Sequence, residues 1–183
     1  QADVSMITGT EGLVIARDGT LYYSQRGAVG RLVPGGSPEN RWVSVGSASA
    51  TVWGLALDAA NETLYVGVPG TGVRSIDLTA ATPSATSGAA ANGLTMGPDG
   101  AVYYSDFSEG HVYRVTADGM SSRVTTSTIA QANGVLFMPD GTLLVASYMT
   151  GTLHRLTLTS GMESARATFA TGLGAADGLA LDA

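Results

Sequence analysis

The sequence predicts an all-β chain folded as a β-propeller of four-stranded antiparallel blades, on three observations. A phrase of one residue, a glycine and an apolar residue recurs five times; a hairpin signal follows most recurrences at a fixed offset; and no stretch keeps helical apolar spacing. The phrases are Glu11-Gly12-Leu13, Trp53-Gly54-Leu55, Asn92-Gly93-Leu94, Asn133-Gly134-Val135 and Asp177-Gly178-Leu179, their glycines 42, 39, 41 and 44 residues apart.

Each phrase opens a short apolar run, the first strand of a repeat. Six and seven residues beyond the glycine stand Asp18-Gly19, Asp99-Gly100 and Asp140-Gly141, which suit a type I′ turn. The second repeat carries the longer Asp58-Ala59-Ala60-Asn61-Glu62 instead. Return strands follow at Leu21-Tyr22-Tyr23, Leu64-Tyr65-Val66, Val102-Tyr103-Tyr104 and Leu143-Leu144-Val145. Third strands contain an arginine: Arg31-Leu32, Val73-Arg74, Val112 to Val115 and Leu153 to Leu156. Fourth strands are expected at Trp42 to Val45, Arg123 to Thr125 and Ala167 to Phe169, with a weak one between Pro83 and Gly88.

Four antiparallel strands per forty-odd residues is the propeller signature. A β-sandwich has no reason to repeat one motif five times, and a β-helix coil is shorter. The blades are placed at 11–51, 52–90, 91–131 and 132–175, with the first strand of a fifth at 176–183. A lone strand leaves backbone groups unpaired, so about two further blades are expected, six in all, closed by the missing blades or by another chain. The alternative is a closed four-bladed propeller with a short extra strand.

Composition narrows the partners. Nine basic residues, every one an arginine, stand against 15 acidic ones, a formal charge of -6 that argues against nucleic acid and anionic membrane surfaces. No run approaches the roughly 20 apolar residues of a membrane span. The chain has no cysteine, which removes disulfides, thiolate catalysis and zinc–thiolate sites. The arginine-only usage fits a bacterial coding bias. Gln1 in place of an initiator Met fits a processed chain, secreted or periplasmic.

Rotation about a propeller axis puts equivalent positions in a ring, so the residues preceding the repeat glycines should share one mouth of the channel. That ring is Glu11, Trp53, Asn92, Asn133 and Asp177. Two carboxylates and two carboxamides offer hard oxygens, which suit calcium better than zinc or copper. Turn chemistry is the competing reading, since Asn-Gly and Asp-Gly form turns readily. It does not account for Glu11.

The loops between second and third strands fall on the same mouth and carry Gln25-Arg26, Pro69-Gly70-Thr71, Asp106-Phe107-Ser108 and Tyr148-Met149-Thr150. A small-molecule pocket is expected there, bordered by Trp53, Arg26, Phe107 and Tyr148, though each aromatic alone also suits packing between blades. His111 and His154 lie in third strands, away from the ring and without a nucleophile placed for a Ser-His-Asp arrangement. Asp106 reads as a turn cap.

Glu11-Gly-Leu with Leu21-Tyr-Tyr-Ser, Asn92-Gly-Leu-Thr-Met-Gly-Pro-Asp-Gly, Asn133-Gly-Val-Leu-Phe-Met-Pro-Asp-Gly and Asp177-Gly-Leu-Ala-Leu-Asp resemble the senescence-marker/gluconolactonase-like family of six-bladed propellers. The resemblance covers essentially the whole chain and stops before the family's last two blades. It implies a divalent cation, often calcium, held by Glu11, Asn92, Asn133 and Asp177. It also implies metal-assisted hydrolysis of a lactone or related ester, with Asp177 as general base. One departure stands out. Sugar lactonases of the family surround the third-blade ligand with an Arg and an Asn-Asp-Gly segment, whereas this chain has Ala89-Ala90-Ala91-Asn92-Gly93. Paraoxonases, strictosidine-synthase-like proteins and NHL-type binding propellers share much of the phrasing. A non-catalytic propeller binding a protein or glycan therefore stands as the alternative to a hydrolase.

Overall fold

The computed structural model describes residues 7, 9–58, 60, 62–85 and 90–181. Gln1, the hairpin positions Ala59 and Asn61, the end of the 83–88 stretch and Ala89 lie outside the described residues. Sixteen strands form four separate sheets, each a four-stranded antiparallel meander, with no helix among the described residues. The first sheet holds β1 (Leu13–Ile15), β2 (Leu21–Gln25), β3 (Ala28–Leu32) and β4 (Glu39–Ser44). The second holds β5 (Leu55–Leu57), β6 (Thr63–Val68), β7 (Gly72–Asp77) and β8 (Thr82–Ala85). The third holds β9 (Ala91–Met96), β10 (Val102–Asp106), β11 (His111–Val115) and β12 (Ser121–Arg123). The fourth holds β13 (Ala132–Phe137), β14 (Leu143–Ser147), β15 (Thr152–Thr159) and β16 (Met162–Ala170).

These are propeller blades, and the core lies between them. Tyr22, Val29 and Val45 of the first blade pack with Leu64, Val66 and Ile76 of the second. Ala56 and Val73 of the second meet Leu94, Val102 and Tyr104 of the third. Tyr103, Val112 and Ile129 of the third meet Leu143, Val145 and Leu156 of the fourth. The third blade has a neighbour on each face, and the far face of the fourth is covered by residues 175–181, which is why β10 and β14 are buried along their whole length instead of alternating. Inner strands touch in order, β1 with β5, β5 with β9 and β9 with β13, and no comparable contact joins β13 back to β1 among the described residues. Residues 175–181 form no ladder, yet Ala176 and Leu179 cover Leu144, Ala146 and Leu153 on the open side of the fourth blade.

One local expectation is corrected. The Asp-Gly hairpins are not type I′, because only their glycines have positive φ (85°, 76° and 82° at Gly19, Gly100 and Gly141). Gly19 N–H donates to the Ala16 carbonyl at 2.9 Å and Ala16 N–H to the Thr20 carbonyl at 2.8 Å, a type I turn closed by a left-handed glycine; Gly97–Ala101 and Met138–Thr142 repeat it. The aspartate caps this turn: the Thr20 and Thr142 N–H groups donate to Asp18 and Asp140 at 2.9 and 3.0 Å. Arg74 lies in its third strand as expected, but in a different phase from the other three arginines. Arg31, Arg114 and Arg155 oppose Tyr22, Tyr103 and Leu144, where the second blade has Ser75 opposite Tyr65. Arg74 is one residue out of phase, and with a period of two it leaves on the other face.

Two of the arginines that are in phase, Arg114 and Arg155, tie strands to hairpins, while Arg31 pairs with Glu39 of β4. Arg114 Nε donates to Asp99 at 2.7 Å, and the Tyr103 hydroxyl reaches the same carboxylate at 3.0 Å. Burial, reinforced by Asp99, pushes the Tyr103 hydroxyl up to about 12. Burial opposes ionisation of Asp99, but hydrogen bonds from Arg114, Ala101 N–H and Tyr103 outweigh it and hold this carboxyl below its ordinary value.

Candidate functional site

At one end of the axis the inner strands enclose a cavity of about 370 Å³ whose lining includes Glu11, Trp53, Asn92, Asn133 and Asp177 together with all five repeat glycines. Leu13, Leu55, Leu94, Val135 and Leu179 complete most of its wall. The five ring residues, more than 160 positions apart at the extremes, thus share one chamber.

The glycines are what let them converge. None of Gly12, Gly54, Gly93 and Gly134 has positive φ, so turn formation is not their role. A Cβ on each would strike the carbonyl oxygen of the next blade's ring residue: Trp53, Asn92, Asn133 and Asp177 in turn, at 2.6 Å for Gly93 and closer for the other three. Neighbouring inner strands approach until backbone meets backbone, and Gly54 N–H donates to the Asn92 carbonyl across the blade boundary at 2.8 Å.

A bulge then aims the carboxamides. In the third blade Tyr104 pairs with Leu94 and Asp106 with Ala91, leaving Asn92 and Gly93 opposite Ser105 alone. In the fourth, Asn133 and Gly134 oppose Ala146 alone. Two residues against one is a β-bulge, which redirects a side chain out of the ladder. A ring of small residues on the second strands makes this possible, and sequence reasoning missed it. Ser24 Oγ accepts from the N–H groups of Glu11 and Gly12 at 3.0 and 2.9 Å. Gly67 accepts from Trp53 N–H at 3.1 Å, and Ser105 Oγ accepts from Gly93 N–H at 3.0 Å while donating to the Asn133 carbonyl. The signal was the recurrent small residue three positions into each return strand: Ser24, Gly67, Ser105 and Ala146.

The electrostatics of the chamber are one-sided. Glu11 and Asp177 bring two carboxylates, no basic side chain joins the lining, and neither carboxylate has a hydrogen-bond or ion-pair partner among the described residues. Asn133 is only 4% exposed, yet its carboxamide has no protein partner among the described residues either. Unpartnered oxygens around one chamber, without His or Cys, match a hard cation completing its shell with carbonyls or water.

The other expected residues stand apart from this chamber. Arg26, Phe107 and Tyr148 are not among its lining residues. Phe107 and Tyr148 contact each other edge to face at 5.7 Å, and Phe107 lines a second cavity of about 450 Å³ with Glu109, Gln131 and Met149. Asp106 is buried and accepts from Ser108 and Glu109 N–H groups at 2.9 Å each, the turn cap expected of it. His111 Nδ1 lies 2.8 Å from Thr125 Oγ1, and burial, together with Arg166, lowers the His154 pKa.

A meander-bladed propeller whose inner strands converge on an oxygen-lined, anionic chamber defines the class. Within it, the chain belongs to the SMP-30/gluconolactonase/LRE-like family, whose region matches residues 9–183. The fold is also similar to virginiamycin B lyase from Staphylococcus aureus (TM-score 0.79, 15% identity, 96% of this chain and 61% of that one). The gluconolactonase XC5397 from Xanthomonas campestris is similar over 94% of this chain and 66% of its own (TM-score 0.76, 20% identity). A chain of the nidogen/laminin complex matches with TM-score 0.76 and 18% identity, over 92% of this chain and 67% of that one. This chain therefore spans about 57–61% of the length of the lyase structures it resembles. The chain has no match among curated proteins.

Proposed function

We propose that the chamber holds a divalent cation, calcium by its donor chemistry, and hydrolyses a lactone or related ester. The observation that carries this reading is the convergence of Glu11, Asn92, Asn133 and Asp177 on one chamber with no partner for their polar ends among the described residues. Membership of the SMP-30/gluconolactonase/LRE-like family supports it. Glu11, Asn92, Asn133 and Asp177 would hold the ion, which when bound supplies Lewis acidity to a carbonyl. Asp177, the exposed carboxylate, takes the proton of the attacking water as that oxygen bonds to the acyl carbon. The ring C–O bond breaks, and the proton passes to the departing alkoxide. Leu55, Leu94 and Val135 keep the chamber wall apolar, which strengthens these charge interactions.

With calcium supplied at saturation, Asp177→Asn should lower kcat for a responsive lactone by about 10²-fold or more, the usual reach of a general base. Chelation should abolish turnover in the unsubstituted chain. Hydrolysis untouched by chelation or by Asp177→Asn would remove the reading. A second reading, a non-catalytic NHL-type propeller that binds a protein or glycan, draws on the exposed Tyr148 and Met149 (40% and 64%). Under it, partner binding survives chelation and no ester is turned over.

A further inference from the structure

The chamber also constrains what the substrate carries beyond its ester. Once Glu11, Asn92, Asn133 and Asp177 are committed to a cation, Trp53 is, among the described residues, the one other lining side chain with a hydrogen-bond donor; the rest are Gly, Ala, Leu and Val. Ala91, at the position just before Asn92, is fully buried and offers nothing. A polyhydroxylated ring entering here would give up its water without replacement, and each hydroxyl left unpaired costs about ten-fold in affinity. An alkyl or aryl group loses nothing by the same transfer.

Outside the chamber's lining, the register sets an apolar platform on the loops that follow the strands paired with Ala91 and Ala132. Asp106 pairs with Ala91, next to Asn92, and Phe107 follows Asp106; Ala132, next to Asn133, pairs with Ser147, and Tyr148 follows Ser147. Phe107 and Tyr148 then meet at 5.7 Å across the boundary between the third and fourth blades. The second cavity begins there, lined in part by Gln131, two residues before Asn133. We infer that the site takes an ester or lactone bearing an alkyl or aryl arm and few hydroxyls, the arm packing on the Phe107–Tyr148 pair. This rests on the hydrolase reading above.

The test uses the full chain with calcium and two substrate sets: γ-lactones of rising alkyl length, and a sugar lactone. The expected result is a kcat/KM that rises by up to about four-fold per added methylene until the platform is covered, and a sugar lactone slower than the longer alkyl lactones. Tyr148→Ser should flatten that slope, mainly through KM, while Tyr148→Phe keeps it. Tyr148 is exposed enough that neither change threatens the core. A sugar lactone turned over as well as the best alkyl lactone overturns the inference and leaves the hydrolase reading standing. A slope unchanged in Tyr148→Ser overturns the platform. No turnover of either set removes the hydrolase reading and this inference with it.

Discussion

Gly134 shows how tightly the axis is built. Its hydrogen faces the carbonyl oxygen of Asp177, so a methyl group there meets backbone, which yields less readily than a side chain. Gly134→Ala should destabilise the fold by about 1–3 kcal/mol, read as a lower denaturant midpoint at constant slope. An unchanged midpoint would mean that the inner strands do not approach as described. Asn133 separates site from scaffold. Asn133→Leu keeps the volume and removes a carboxamide that has no protein partner among the described residues, so stability without metal should hold or rise. The rise in Tm expected on adding calcium to the unsubstituted chain should be absent in this variant. The ring itself was legible in the sequence, because one spacing exposes one position per blade. What could not be read was why glycine follows it: Asn-Gly has the same spelling in a turn and in a bulge, and only the register against Ser105 and Ala146 distinguishes them.

Strands and hairpins followed the same division. The recurring apolar runs and Asp-Gly spacing marked the strand order, but the turn type depends on the φ of Asp18, Asp99 and Asp140, which the dipeptide leaves open. Arg74 was grouped with the other third-strand arginines because a slip of one residue is invisible without the partner strand. The outer strand β16 began earlier than expected, and its start holds a clamp between blades. Glu163 N–H donates to the Val124 carbonyl at 3.0 Å, Thr126 N–H donates to the Glu163 carboxylate at 2.7 Å, and Arg166 Nε reaches that carboxylate at 2.7 Å. Burial opposes ionisation of Glu163, but the Arg166 and Thr126 hydrogen bonds outweigh it and hold its carboxyl below the ordinary 4.5. A carboxyl lowered in the folded chain contributes stability that is fully present above its unfolded value. That contribution is lost as pH falls below about 4.5 through the folded value. Glu163→Gln should therefore lower stability by about 1–3 kcal/mol at neutral pH and reduce the acid dependence of Tm between pH 5 and 3. An identical pH profile in the variant would mean that the clamp bears no load.

Taken together, the blades are held at their faces by apolar burial and at the axis by backbone contact, and the chamber sits where both converge. A cation there would join the first, third and fourth blades to residues 175–181, which lie against the fourth blade without a ladder of their own. Calcium at a hundred times its Kd should add about 2.7 kcal/mol to stability and slow proteolysis within 171–181. Chelation should reverse both, and equal cleavage with and without calcium would detach that segment from the site. The architecture was legible from the repeat alone, since equivalent positions must meet about a common axis. The wall was less so: Phe107 and Tyr148 were placed on the right loops, but whether a loop residue turns into the axial chamber or toward its neighbour depends on packing between blades.

A crystal of this chain grown with calcium, measured for anomalous scattering, tests the central claim most directly. The account predicts a single peak on the axis, about 2.3–2.6 Å from side-chain oxygens of Glu11, Asn92, Asn133 and Asp177. A chamber without a peak at saturating calcium, or an ion bound elsewhere with these four side chains turned away, would contradict it.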